Sequence, residues 1–289
     1  MAVLITAPSE PRPTPSSRGR RFLRLPRTDP GTVIAVVFLV AVVFVSFFPG
    51  AVAPFDPLEA NPLDKFTPPS WPHVLGTDAI GRDVLSRLVY GAGTSMPAAL
   101  LATGIGLVVG SLLGVLAATF GGAADTLIMR LLDAVLAVPG LLIVFAFLAA
   151  LGNGVVPIAV AVGIGTSVSF GRLMRAETYR IRSLTFVEAA RAGGARGWAI
   201  AFRHVIPTAL RPVVALAALD VGTALLAIGA VGYLGFGAQP PWPEWGAMIA
   251  EGQRYLSTAW WLSIVPGLTF VIIVLAANQI SRHVERARD

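Results

Sequence analysis

Six long apolar runs, over residues 31–48, 95–120, 127–151, 155–170, 208–235 and 259–280, recur along this chain with polar segments between them. The hydrocarbon core of a bilayer is about 30 Å thick and is crossed by about 20 mostly apolar residues per helix. Each run is close to that length, and the 289 residues as a whole are 55% hydrophobic and only 13% charged. A mean hydropathy of +0.74 belongs to a chain that lives in lipid, not to a soluble domain with a charged surface. The expected fold class is therefore all-α, a polytopic membrane protein with six transmembrane helices.

Residues 1–28 are rich in Pro, Ser and Arg and carry no apolar periodicity, which predicts a mobile cytoplasmic tail. The first apolar run imitates a secretory signal, because Ala51-Val52-Ala53 resembles a cleavage site. The long preceding tail, an apolar run beyond the usual 7–15 residues and Pro54 after the triplet argue for a retained helix. Residues 29–94 then comprise the first transmembrane helix and an extracytoplasmic segment. That segment is dense in Pro, Asp and Gly, with one short helix expected over 81–90. Residues 95–282 form a five-helix core and 283–289 a second cytoplasmic tail. Within the core, Gly106, Gly110 and Gly114 recur every fourth residue, a stripe that lets two helix backbones approach closely in lipid. Pro139-Gly140 and Pro266-Gly267 interrupt the third and sixth runs, where proline removes a backbone donor and favours a kink.

Basic residues set orientation, since Lys and Arg concentrate on the cytoplasmic side. With both termini inside, eighteen of the 22 lie in inner segments, leaving Lys65, Arg82, Arg87 and Arg254 outside. Trp242, Trp245, Tyr255, Trp260 and Trp261 gather near the outer end of the last run, where amphipathic rings favour the headgroup region. The net charge of +6 follows from arginines flanking apolar runs, so nucleic acid is not an expected partner.

The polar stretch from 171 to 211 contains a patterned segment, Leu184-Thr185-Phe186-Val187-Glu188-Ala189-Ala190-Arg191-Ala192-Gly193-Gly194. Thr185 and Glu188 have the spacing of a capping box, and Gly193-Gly194 can close the helix in a left-handed cap. Trp198, Phe202 and Val205 follow at intervals of four and three, predicting an amphipathic helix that Pro207 ends. The expectation is a helix, a turn and a second helix at the cytoplasmic surface.

Glu188-Ala189-Ala190, Gly194 and Ile206-Pro207 resemble the cytoplasmic "EAA" loop of permease subunits in bacterial ABC importers. Ile206 replaces the usual leucine, and His204 resembles the dipeptide and oligopeptide branch. Two further stretches resemble that branch: Leu75-Gly76-Thr77-Asp78-Ala79-Ile80-Gly81-Arg82-Asp83-Val84-Leu85-Ser86-Arg87, and Gly235-Phe236-Gly237-Ala238-Gln239-Pro240-Pro241 with Trp245-Gly246. The chain from about Thr28 onward is similar to the second, C-type permease of dipeptide, oligopeptide and nickel importers. Gly232-Tyr233 stands where relatives commonly have Ser-Phe. The resemblance implies a type I importer permease (MetI-like) fold. It also implies a second, B-type permease, cytoplasmic ABC ATPase subunits that hold ATP and Mg, and an extracytoplasmic substrate-binding protein. No cofactor is expected on this chain itself. The loop over 172–207 becomes an ATPase-coupling element, with Glu188, Ala189, Ala190, Gly194, Trp198, His204 and Pro207 as its candidate residues. The blander reading of Glu188, a solvated charge that caps a helix, rests on the capping spacing alone.

Catalysis needs nucleophiles and titratable groups gathered in one place, but His73, His204 and His283 are scattered. There is no cysteine for a disulfide or metal site, and Lys65 is the only lysine, so no P-loop can be present. Asp220 is the one carboxylate expected deep in a run, about 12 Å beyond Pro212 at 1.5 Å per residue, toward the cytoplasmic side. Pore lining and helix–helix hydrogen bonding are both open to it. Asp125, Asp133 and Asn278 lie nearer the ends of runs, where interfacial solvation is expected. Two alternatives remain at this point: a nickel importer of the same type, and a secondary transporter driven by an ion gradient.

Overall fold

The computed structural model describes residues 30–286. The tail expected over 1–28 and the final residues 287–289 lie outside them. Ten α-helices follow one another: α1 (Pro30–Phe47), α2 (Val84–Phe120), α3 (Gly122–Ala137), α4 (Gly140–Leu151), α5 (Val155–Arg182), α6 (Thr185–Ala192), α7 (Gly197–Ile200), α8 (Ile206–Tyr233), α9 (Trp245–Gln253) and α10 (Trp261–Arg286). A π-helical stretch, Ala201–Val205, joins α7 to α8. Among the described residues there is no strand, only an isolated bridge between Thr77 and Asp83. The end carrying residues 48–83 and α9 is called upper here, and the end carrying α6 and α7 lower.

Among the described residues five helical stretches are long and apolar enough to cross a membrane, and α3 with α4, bent by 90° at their junction, makes a sixth only if the pair counts as one span. The bend has a local cause. Val138 precedes proline and is held extended (φ −92°, ψ 126°), as the ring of the next residue demands. Pro139 supplies no amide to continue the α3 ladder.

Helix α2 is longer than the residue pattern suggests. The short helix expected over 81–90 and the span expected from 95 are one helix of 37 residues. Asp83 starts it, its carboxylate accepting from the Ser86 amide at 2.7 Å. Gly91 and Gly93 do not break it, although an interior glycine costs about 1 kcal/mol relative to alanine. Their bare faces are used: a Cβ on Gly91 would press on the Trp245 indole at 2.8 Å, and one on Gly93 on the Ser46 carbonyl at 3.0 Å.

Helix α5 likewise runs past the expected limit of Phe170 to Arg182. Its lower extension is tied down by charge. Arg175 makes a bidentate pair with Asp125 at 2.6 Å for both contacts, Arg172 reaches Asp133 at 2.5 Å, and Arg182 donates to the Ala118 carbonyl in the last turn of α2. Asp125, expected as a solvated charge, is therefore paired and mostly covered, while Asp133 is paired but still exposed.

The centre is the contact of α2 with α5. Gly106, Gly110 and Gly114 face Thr166, Ser167 and Gly171, and a Cβ at any of them would collide with α5. Lipid supplies no hydrophobic drive between helices, so close backbone approach and dense van der Waals contact hold such a pair. Around it Met96, Ala99 and Ala102 of α2, Ile158 of α5, Leu225 and Ile228 of α8 and Ile273 of α10 form one buried cluster. Outward faces stay apolar for lipid, as at Val37, Val40, Val108, Leu112 and Leu275.

The tryptophans divide. Trp242 and Trp260 are exposed as expected of interfacial rings, but Trp245 and Trp261 are buried. Their indoles donate to the Leu88 carbonyl at 2.8 Å and the Thr77 carbonyl at 3.2 Å. They fasten the upper segments to one another instead of anchoring them in headgroups.

Candidate functional site

The lower loop is built on an apolar root. Val187 of α6, Ile200 of α7, Val205 and Ala209 pack with Phe170, Met174 and Ile181 of α5 and Val213 of α8. Helix α6 ends in a pair of crossed hydrogen bonds, Ala195 amide to Ala190 carbonyl at 3.1 Å and Gly194 amide to Arg191 carbonyl at 3.0 Å. That closure needs a left-handed residue, and Gly194 supplies it at φ +80°. Gly193 stays right-handed at φ −73°.

Two expectations about this loop are corrected. The capping box does not form: Leu184 is the N-cap residue and no side chain caps α6, so Thr185 and Glu188 sit one position too far along. Trp198, Phe202 and Val205 do not share a face either. The π turn over Ala201–Val205 takes in an extra residue and shifts the helical register, and Val205 is buried while Trp198 and Phe202 remain 65% and 70% exposed.

The result is a protruding surface. Glu188, Ala189, Gly194, Trp198, His204 and Pro207 are exposed and Ala190 is half-buried. Phe186, absent from the sequence-derived candidates, joins them, its ring edge-on to His204 at 6.2 Å. Its position beside Val187 marked it, since consecutive apolar residues on a short helix cannot both face inward.

A second polar feature lies within the bundle. Asp220 is not near the lower end but midway along α8, about 21 Å from its start at 1.5 Å per residue. Thr103 of α2 donates to its carboxylate at 3.0 Å, and the Thr223 hydroxyl, which donates to the Asp220 backbone carbonyl at 3.0 Å, lies 3.4 Å from the carboxylate. Thr166 of α5 also hydrogen-bonds to it.

The third feature, at the upper end, was not singled out as a site from the residue pattern. A cavity of about 530 Å³ opens between the N-terminus of α2, the end of α8 and α9. Asp78 receives the Arg82 guanidinium at 2.7 Å and that of Arg87, and Arg87 reaches across to Glu251 at 3.0 Å. Burial pushes the Asp78 carboxyl up, but the Arg82 and Ile80 amides and the Arg87 and Arg82 charges outweigh it and leave it below the usual range.

Glu244 is fully buried, and burial holds its carboxyl above the usual range. It caps α9 through the Gly246 and Ala247 amides, both at 2.9 Å. Any side chain on Gly232 would collide with that carboxylate, which accounts for the glycine here.

No group of three or more His, Cys, Asp or Glu able to hold a metal occurs among the described residues. The arrangement thus combines a membrane bundle, an ion-tied upper cavity, a lone mid-bundle carboxylate and a protruding lower loop.

Comparison with known proteins fits these parts together. Residues 110–289 match the family described as binding-protein-dependent transport system inner membrane component. The di/tripeptide transport system permease protein DppC of Pseudomonas aeruginosa is 39% identical, over 90% of this chain and 88% of its own. The glutathione transport system permease protein GsiD of Pectobacterium atrosepticum is 35% identical, over 93% and 89%. Among solved structures, the inward-facing MetNI methionine ABC transporter aligns with a TM-score of 0.54 at 18% identity, covering 68% of this chain and 96% of that one. An amino acid ABC transporter crystallised with histidines aligns at 0.55 and 16% identity, covering 70% and 94%. These two share the fold of the bundle.

Proposed function

The chain belongs to the binding-protein-dependent transport inner membrane component family, and on that premise we propose that it is a permease subunit of an ATP-driven importer for dipeptides and related short peptides. It forms half of the pathway, beside a second, B-type permease. Two cytoplasmic ABC ATPase subunits hold the ATP and Mg, and an extracytoplasmic binding protein delivers the solute.

The observation that carries this reading is the lower loop. Phe186, Trp198 and Phe202 stand in water on a rigid root, with Glu188 beside them. Large apolar rings held out of the core mark a surface built to meet a protein. A short helix rich in small residues, Ala189 and Ala190, can enter a cleft while Glu188 accepts hydrogen bonds from its rim. ATPase movement then reaches α5 and α8 through Val187, Ile200 and Val205, which join loop and bundle in one cluster. The lower end is cytoplasmic in this reading, in keeping with the eighteen-to-four distribution of basic residues. The upper cavity faces the binding protein. The chain has no ATPase site of its own, since its single lysine, Lys65, lies in the upper segment.

The test is reconstitution of the chain in liposomes, alone and with its partners. Dipeptide uptake that requires ATP, the ATPase subunits and the binding protein is expected. Uptake by the chain alone, driven by a proton or sodium gradient, would replace this reading with a secondary transporter. Orientation is read in the same preparation from cysteines placed at the exposed Ser70 and Ser183 of this cysteine-free chain. An impermeant reagent should label the first from outside and not the second.

A further inference from the structure

Asp220 is the feature that helix packing leaves unexplained. Among the described residues no basic side chain forms an ion pair with it, yet it sits at the middle of a membrane-spanning helix. A carboxylate at that depth is costly unless something compensates it.

The polar side chains that meet it are all hydroxyls. The Thr103, Thr223 and Thr166 hydroxyls gather from α2, α8 and α5. The Thr166 hydroxyl donates to the Gly163 carbonyl at 3.3 Å, which leaves its lone pairs facing the cluster. An ammonium group presents three N–H donors and no acceptor, and this set of acceptors complements it. The cluster is also reachable. Thr223 is exposed, and the same face of α8 continues through Ala227 and Ala230, also exposed, to Tyr233. Tyr233 and Leu234 line the upper cavity. A strip of small and hydroxyl-bearing side chains thus leads from the cavity to the carboxylate.

We propose that the oxygen cluster around Asp220 is a transit site for the primary ammonium group of the carried solute. The proposal rests on the importer reading above and adds what the path recognises: a protonated amino terminus, held briefly by one carboxylate and its hydroxyls.

The experiment uses the complete assembly in proteoliposomes, with loaded binding protein and a dipeptide bearing a free amino terminus. Asp220→Asn is expected to assemble and to hydrolyse ATP within about twofold of wild type, but to carry at least tenfold less dipeptide per ATP. Asp220→Glu should recover at least half of the wild-type coupling. Thr103→Val, which removes one hydroxyl of the cluster and keeps the charge, should show an intermediate loss of coupling, smaller than that of Asp220→Asn. Wild-type uptake should persist when N-methylglucamine replaces all sodium and potassium.

Normal dipeptide transport by Asp220→Asn would overturn the proposal and leave the importer reading intact. Failure of Asp220→Asn to assemble, or equal losses in all three variants, would assign Asp220 to structure alone. A sodium or potassium requirement that Asp220→Asn abolishes would assign the cluster to an alkali ion instead. If the wild-type assembly takes up no dipeptide with ATP, the importer reading falls and the proposal with it.

Discussion

Two outlying segments of this bundle, the chain between α1 and α2 and the α6–α7 loop, are held in opposite ways. At the upper end the chain between α1 and α2 is fastened by polar contacts: Asp78 with Arg82 and Arg87, Arg87 with Glu251, His73 with Asp83 at 3.0 Å, and the Phe55 amide with Ser86 at 3.0 Å. At the lower end, α6 and α7 are held by an apolar root and a glycine closure, and their outward residues point into water. Fixed polar geometry suits a mouth that must keep its shape. A loop with a firm root and an open surface suits an element that moves with a partner. The difference can be tested one residue at a time.

The largest effect is expected at the upper end. Asp78→Ala leaves Arg87, 5% exposed and with its Nε already lacking a partner, facing only the half-exposed Glu251. Removing one member of a buried pair typically costs about 3–5 kcal/mol, and the remaining contact with Glu251 places this case near the lower figure. Thermal unfolding of the assembled complex should show a clear drop in midpoint. The pH dependence has a definite sign. A carboxyl held below its ordinary pKa stabilises fully above that ordinary value, and the contribution fades as pH falls through the lowered one. The gap between wild type and Asp78→Ala should therefore be full near neutrality and narrow in strong acid. A gap that does not change with pH would mean the cluster acts through packing alone.

A smaller effect on stability, but a large one on transport, is expected at Gly194. Nothing lies within 4 Å of a Cβ built there, so a side chain has room, and the difficulty is the backbone at φ +80°. Gly194→Val asks a β-branched residue to take a left-handed conformation, at about 1–2 kcal/mol. The loss falls on the closure of α6, not on the bundle. The variant should insert and assemble with near-normal unfolding while dipeptide uptake falls by at least tenfold. Unchanged uptake would show that the closure does not set the loop's shape.

These tests also mark where residue patterns stop being informative. The membrane-spanning runs are legible because burial in lipid depends on local composition, and each run carries its own. The glycine stripe is legible as spacing, since Gly106, Gly110 and Gly114 sit on one helix. What is not legible is decided by residues far away along the chain. Helix α2 continues through Gly91 because Trp245 fills the space beside it. Arg87 finds Glu251 across 164 residues. The face of Val205 is set by a π turn that no apolar spacing announces, so period-based reading grouped it with Trp198 and Phe202. The loop's candidate residues came from a motif resemblance, and the missing member, Phe186, lay inside that same motif.

The smallest structural effect is expected at Glu188, and for that reason it isolates the loop's surface from its fold. Glu188 is exposed and takes no part in capping α6, so its carboxylate supports neither the helix start nor the root. A substitution at such a position usually moves stability by no more than about 0.5 kcal/mol. Glu188→Lys keeps a long, helix-compatible side chain and reverses the charge beside Phe186. If the ATPase cleft offers a basic or amide-lined rim, that reversal sets like charge against like or removes an acceptor, and the assembly weakens without any change in the permease itself. The expected readout is a Glu188→Lys chain with wild-type insertion and unfolding midpoint, at least tenfold less ATPase subunit recovered by co-purification, and a matching loss of uptake. Glu188→Gln, which keeps the acceptor and drops the charge, should fall between the two if charge and hydrogen bonding both count. Wild-type co-purification and uptake by Glu188→Lys would instead put the contact on Trp198 and Phe202 alone, with the carboxylate left as a solvated charge.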